Sequence, residues 1–302
     1  MTTQPDIAAV PDYLVLGTIT RDIIPGGFNL GGTVSYGAIT ARRLGLRAAI
    51  VTSAAPDLQL PDAFLGIECL AVPAAHTTTF RNEYVNGSRR QYVSAVAAPI
   101  TPDAVPPAWR RAPLVHLGPL VNELDESLVH LFPHARVIAT PQGWFRSWDA
   151  TGFVRLGAWP RAAELLPHLT ALILSDEDVR GDPDCIQRWI PMTRTLVLTH
   201  GARGATVYHR GTAAHLPARP AREIDPTGAG DVFAAAFLIR LHETFLRTGV
   251  EDPWDAARFA NVTASFSVEG LGFSTIPYRA EVEDYLADPD CAERLSATPE
   301  AI

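Results

Sequence analysis

Asp225-Pro-Thr-Gly-Ala-Gly-Asp231 runs directly into VFAAAFLIRLHETF. Pro226 and the glycines exclude a regular element up to Gly230. Beyond it, Phe233, Phe237, Leu241 and Phe245 recur every four residues, with Val232, Ala236 and Ile239 beside them. That pattern belongs to a long, largely buried helix. A glycine-rich turn therefore opens onto a helix N-terminus, where the first N–H groups lack partners and the macrodipole is positive. Glycine allows an anion to approach the backbone closely. The sum is a phosphate site built without lysine or arginine. Asp231 stands in the first helical turn. A carboxylate there stabilises a helix by about 0.3–1 kcal/mol and needs no catalytic role. It is also the right group to take a proton from a hydroxyl attacking a bound phosphoryl group, which is worth about 10²–10⁴ in rate. On chemistry alone the two roles stand level.

Upstream of this turn, short apolar runs alternate with helical patterns. Strands are expected over 13–19, 48–53, 114–120, 136–140, 169–174 and 195–199, and a helix over 33–44. Further helical patterns fall near 125–132, 159–167, 183–190, 230–247 and 253–268. Near-continuous apolar strands separated by helices predict an α/β layer fold around a mostly parallel sheet. Residues 67–98 break this rhythm. Strand-like runs at 77–85 and 90–95 flank Asn86-Gly87, a strong hairpin signal, so an antiparallel insertion acting as a lid is expected. The last dozen residues read as a loosely attached tail.

Bulk properties narrow the class. The chain has 302 residues, 47% hydrophobic and 19% charged, with a formal net charge of -8. That balance suits a folded domain and disfavours nucleic acid or anionic lipid as a partner. Cys69, Cys185 and Cys291 are far apart and read as isolated thiols of a reducing compartment. Neither a signal-like N-terminus nor a membrane-length apolar run is present, so a cytoplasmic, membrane-free protein is expected. A dinucleotide fingerprint fails because Phe233 stands where the third glycine belongs, and a P-loop fails because Gly32-Thr33 replaces the Lys-Ser/Thr pair. The nine histidines form no HxH or HExxH pair, which disfavours a dedicated zinc site.

DPTGAGD before a small-residue-rich helix resembles the C-terminal signature of the PfkB (ribokinase-like) carbohydrate kinase family. The resemblance covers roughly residues 13–285. It implies a three-layer α/β/α sandwich with a small β lid, as one kinase domain over 1–302. It implies ATP-dependent phosphorylation of a small polyol, sugar or nucleoside hydroxyl. Asp231 would be the base, and Gly228, Ala229 and Gly230 the anion hole. Asp225 and Thr227 match positions that bind a monovalent cation, K⁺ being the expected ion. Asp22, after the first strand, matches an aspartate that binds acceptor hydroxyls, and Gly31-Gly32 matches a pair that lets backbone approach the sugar. The family's usual asparagine after that pair falls on Tyr36, a departure from the ribose-type pattern. Thr199, Gly201 and Gly204 match a T-x-G-x-x-G segment near the nucleotide, and Asn261 a position near adenine. The N-x-x-E segment linked to Mg²⁺ reads Ser175-Asp-Glu-Asp178 here, which leaves Asp178 or Glu177 for the metal shell. Mg²⁺ is expected in any case to neutralise the donor phosphates. Gly-Gly-Thr-Val-Ser-Tyr, the acidic Ser-Asp-Glu-Asp segment and Pro141-Gln-Gly-Trp-Phe-Arg146 are similar to the myo-inositol kinase branch, which implies acceptor or phosphate contacts for Gln142 and Arg146. The rival expectations are a nucleoside or ribose-type kinase and a non-catalytic ATP or metabolite sensor. An exposed hairpin edge offers a route to a homodimer.

Overall fold

The computed structural model describes residues 9–85, 88–290, 295 and 300–301. Cys291 and the Asn86-Gly87 turn lie outside them. In chain order the strands are β1 (Tyr13–Gly17), β2 (Thr20–Ile24), β3 (Gly27–Gly31), β4 (Ala48–Ala54), β5 (Glu68–Pro73), β6 (Thr78–Val85), β7 (Ser88–Ala95), β8 (Leu114–Gly118), β9 (Arg136–Ala139), β10 (Arg146–Trp148), β11 (Val154–Leu156), β12 (Ala171–Ser175), β13 (Thr195–Thr199), β14 (Ala205–His209), β15 (Thr212–Leu216) and β16 (Glu300–Ala301). The helices are α1 (Thr33–Arg43), α2 (Ala162–Leu165), α3 (Cys185–Trp189), α4 (Ala229–Thr248), α5 (Pro253–Ser267) and α6 (Arg279–Ala287).

Ten strands form the main sheet in the order β16-β15-β14-β13-β12-β9-β8-β1-β4-β5. From β13 to β5 every pair is parallel, and the β14–β16 edge is antiparallel. Both faces of the sheet are covered, which is why its strands read as continuous apolar runs. Tyr13 and Val15 point into a core shared with α1, α4 and α5. Leu14 and Leu16 point the other way, into a core with Trp109, Trp144, Trp159 and Trp189. The three-layer α/β/α arrangement is thus present, and the described helices include none long and apolar enough to cross a membrane.

The lid departs from expectation. It is a four-stranded sheet, β3-β2-β6-β7, so β2 and β3 belong to it as well as the expected hairpin. Residues 68–73 do not: β5 pairs with β4 in the main sheet. Of the last dozen residues, expected as a loose tail, the described ones are tied to the fold. Leu295 is buried in the core and β16 pairs with β15.

Candidate active site

The C-terminal ends of the parallel strands converge on the start of α4. Gly228 precedes that helix in a left-handed conformation, φ 77°. A β-carbon at Gly228 would lie inside the ring of Tyr36 as well as straining the backbone, so two separate constraints demand glycine. The turn is fastened internally: Ala229 N–H donates to Pro226 O (3.2 Å) and Asp231 N–H to Gly228 O (3.0 Å). Among the described residues no backbone carbonyl accepts from the N–H groups of Gly228 and Gly230, and the space beside Gly230 is open. The N–H of Ala229, by contrast, is engaged within the turn.

Asp231 is only partly exposed. Burial is the main cause that raises its pKa, to about 6; the neighbouring Asp178 charge adds to the rise, while the Thr33 hydroxyl and Arg146 oppose it. Thr33, the first residue of α1, was not singled out in the sequence, although its place directly after Gly31-Gly32 is the signal that could have found it. Gly32, at φ 93°, lies so close to Thr18 O that no side chain fits there. The carbonyls of the pair are tied into α1: Ser35 Oγ donates to Gly31 O (2.6 Å) and Ser35 N–H to Gly32 O (3.0 Å). Asp22, on β2, turns its carboxylate into the space where a Gly31 side chain would stand.

Tyr36, where the family's usual asparagine would fall, lies against the turn. Its ring is buried beneath Gly228 and packs edge-on against Phe273, 4.8 Å between centroids. Burial raises its pKa, and the charges of Asp225, Asp231 and Asp22 push in the same direction.

Arg146 reaches the site from a laced pair of loops. Its Nη1 donates to Leu120 O (3.3 Å), Asn122 Nδ2 donates to Arg146 O (2.7 Å), and Gly143 N–H donates to Pro119 O (2.9 Å). Glu123 holds this turn from within, accepting from Leu120 N–H (3.0 Å) and Val121 N–H (2.7 Å). Burial raises the Glu123 pKa against the opposing pull of those amides. Gln142 is half-buried in the same turn.

On the donor side, Asp178 accepts from Ser175 N–H (2.9 Å) and Ser175 Oγ (2.7 Å), which holds its charge toward Asp231. Glu177 is exposed and paired with Arg180 (3.1 Å), so of the two candidates only Asp178 faces the site. Arg203 binds Asp176 (2.8 Å) and so joins the Thr199–Gly204 loop to the 175–178 loop. Asn261 is buried, and its amide donates to Leu216 O (3.0 Å) and Pro217 O (3.3 Å). It fastens the segment that flanks Gly204. Asp225 accepts from Thr227 N–H (3.0 Å) and Gly272 N–H (3.2 Å), which brings the turn and the 270–275 loop together.

No cluster of three or more His, Cys, Asp or Glu side chains able to hold a metal occurs among the described residues. One carboxylate beside open amides suits a metal that also leans on donor phosphates, as Mg²⁺ does.

Residues 158–279 match the model for pfkB family carbohydrate kinase. Inositol 3-kinase of Zea mays is 31% identical over 161 residues, 52% of this chain and 39% of that protein. Fructokinase of Escherichia coli is 34% identical over 193 residues, 59% of this chain and 62% of that protein. The matched stretches thus span less than two thirds of either relative. A pyrophosphate-dependent kinase in the ribokinase family, complexed with a pyrophosphate analog and myo-inositol, superposes with a TM-score of 0.73 at 23% identity, covering 90% of this chain and 99% of that one. At that identity the superposition speaks for the fold. The matched segment holds the whole of Asp225–Asp231, Asp178 and the Thr199–Gly204 loop, so over residues 158–279 the chain is similar to the pfkB family of carbohydrate kinases, on a ribokinase-like fold.

Proposed function

We propose that this protein transfers a phosphoryl group from a Mg²⁺-bound donor to a hydroxyl of a small neutral polyol, with myo-inositol the best candidate. The observation that carries the reading is the placement of Asp231. It sits at the positive end of α4, beside the open amides of Gly228 and Gly230, with Thr33, Arg146 and Asp178 around it. Asp231 takes the proton of the attacking hydroxyl. The two glycine amides and Arg146 stabilise the charge of the moving phosphoryl group. Asp22 and the Gly31-Gly32 backbone hold the acceptor, and an aspartate that accepts from two hydroxyls suits a polyol. Bound Mg²⁺ supplies charge neutralisation on the donor, held from the protein by Asp178.

ATP is the expected donor, held along Thr199, Gly201 and Gly204. Pyrophosphate is the competing donor, because the superposed relative uses it. Asp225, Thr227 and the loop at Gly272 support K⁺ binding next to the turn. The exposed Ile23, Ile24 and Phe28 on the lid support pairing of two copies through it. A fructokinase among the relatives keeps sugars in view as acceptors. The test is phosphoryl transfer with ATP and with pyrophosphate, each against myo-inositol, fructose, ribose and nucleosides. Transfer to myo-inositol ahead of the others supports the reading. Tight ligand binding with no transfer from either donor to any acceptor would replace it with a sensor.

A further inference from the structure

Behind the 175–178 loop, on the face of the main sheet opposite α4, the structure leaves a cavity of about 210 Å³. Phe145, Leu156, Trp159, Val179 and Trp189 form its apolar wall, and exposed Met192 adds a flexible side chain. The planes of Trp159 and Trp189 stand at 85°, with 5.8 Å between centroids. A flat ring laid against one indole therefore meets the other edge-on, and aromatic rings favour both arrangements. The charged groups of the lining are engaged. Asp182 pairs with Arg188, and Asp178 accepts from Ser175 N–H and Oγ. Such a lining favours a neutral guest over an ion. An apolar cavity of roughly 150 Å³ takes up benzene, so the volume here fits a molecule of one or two fused rings.

The cavity wall is continuous with two groups of the proposed site. Asp178 lines the cavity directly. Phe145 precedes Arg146, and Arg146 pairs with Leu156 across β10 and β11. The segment that carries Asp178 is tied at its start, where Asp176 N–H donates to Thr199 O (3.0 Å). Beyond that point its bonds run within the segment. Asp178 N–H donates to Ser175 O (3.1 Å), Asp182 N–H to Val179 O (3.0 Å) and Cys185 N–H to Asp182 O (3.1 Å). Bonds of this kind shape the turns without fixing them against the sheet, so the seating of the segment depends on what Val179 packs against. A guest in the cavity supplies that packing.

We infer that this cavity is a regulatory site for a small neutral aromatic molecule, and that a bound guest braces Asp178 in the position from which it serves Mg²⁺. Guest and metal then favour the same arrangement of the segment, so each tightens the binding of the other by the same factor. Binding of the guest stands apart from the kinase reading; its effect on Mg²⁺ rests on that reading.

Indole is the probe, used with the full chain. Calorimetry gives its Kd, and steady-state kinetics give the free Mg²⁺ concentration for half-maximal transfer with and without it. Ala163, exposed on α2, lines the cavity, and Ala163→Phe fills it. Leu246→Ala, at an exposed apolar residue of α4, is the control for loose binding to the surface. Ala163→Phe is expected to raise the Kd for indole about tenfold or more, and the control to leave it within about twofold. Indole is expected to lower the half-maximal Mg²⁺ concentration about fivefold in the wild type and to leave it unmoved in Ala163→Phe. If Ala163→Phe melts early, Ala158→Phe, at another exposed position of the lining, takes its place. No saturable binding of indole by the wild type, or equal binding by the wild type and the filled variant, overturns the inference. Binding that leaves the Mg²⁺ requirement of an active enzyme unmoved also overturns it and leaves the kinase reading standing. Cavity-dependent binding to a protein that transfers no phosphoryl group supports the site and removes the kinase reading.

Discussion

Tyr36 fills the space a side chain at Gly228 would need. The turn proposed to offer amides to an anion is therefore supported from below by a buried aromatic ring, itself braced by Phe273. Gly228→Ala must place a methyl group into that ring and hold a left-handed conformation that costs roughly 1–2 kcal/mol for a residue with a side chain. It is expected to cut kcat by about 100-fold or more while the acceptor still binds. Tyr36→Phe keeps the packing and is expected to stay within a few-fold of wild type. Single-turnover kinetics with equilibrium acceptor binding check both, and a fully active Gly228→Ala would show that the turn does not need this geometry.

The proposed base, Asp231, works only when ionised, and its pKa is raised to about 6. The acid limb of kcat/KM is expected near pH 6. Asp178 raises that pKa and Arg146 lowers it, so Asp178→Asn should move the limb down and Arg146→Gln should move it up. The pH profiles of the three proteins, at saturating Mg²⁺, decide the point. A limb that ignores both substitutions contradicts the electrostatic coupling.

Stability carries two opposed pH terms. His116 is fully buried between Tyr13 Oη (2.8 Å) and Thr140 Oγ1 (3.1 Å), and burial lowers its pKa to about 3. An unfolded histidine gains a proton below about 6.5, so His116 makes stability fall from there toward pH 3, by up to about 1.4 kcal/mol per pH unit. Asp231 has the opposite sign. Its folded pKa is raised, so its favourable contribution is complete below about 3.8 and is lost as pH rises through about 6. Asp231→Asn is expected to raise Tm by a few degrees at pH 7, and its Tm should fall more steeply than that of wild type between pH 7 and pH 4. Melting curves across that range test the sign of each.

Asp178 is the only described carboxylate of the 175–178 loop turned toward Asp231, since Asp176 is bound to Arg203 and Glu177 to Arg180. Asp178→Asn should raise the Mg²⁺ concentration needed for half-maximal activity about tenfold, with activity largely recovered at high Mg²⁺. Glu177→Gln should change neither. Equal effects of the two substitutions would remove Asp178 from the metal shell.

The sequence revealed those parts of the site that lie within one short stretch. The Asp225–Asp231 turn and its helix were legible because glycine spacing and a four-residue apolar period are local signals. The main sheet was legible because strands buried on both faces read as unbroken apolar runs. The lid was half legible. Its β6–β7 hairpin announces itself at Asn86-Gly87, but β2 and β3 are joined across Pro25-Gly26 with exposed apolar residues, and only pairing to β6 makes them lid. Tyr36 shows the same limit: the sequence marked it as a departure from the family's usual asparagine, and only a contact with Gly228, far away in the chain, shows it to be a support for the turn. Asn261 and Glu123 likewise show their hydrogen-bond partners only once distant loops meet.

The central claim is that Asp231 is the base. The direct measurement is single-turnover phosphoryl transfer to myo-inositol by Asp231→Asn, with donor and acceptor affinities measured in parallel. The chemical step is expected to slow by about 10²–10⁴-fold, or more, with both affinities within a few-fold of wild type. Transfer at the wild-type rate, with intact binding of both ligands, would contradict the assignment.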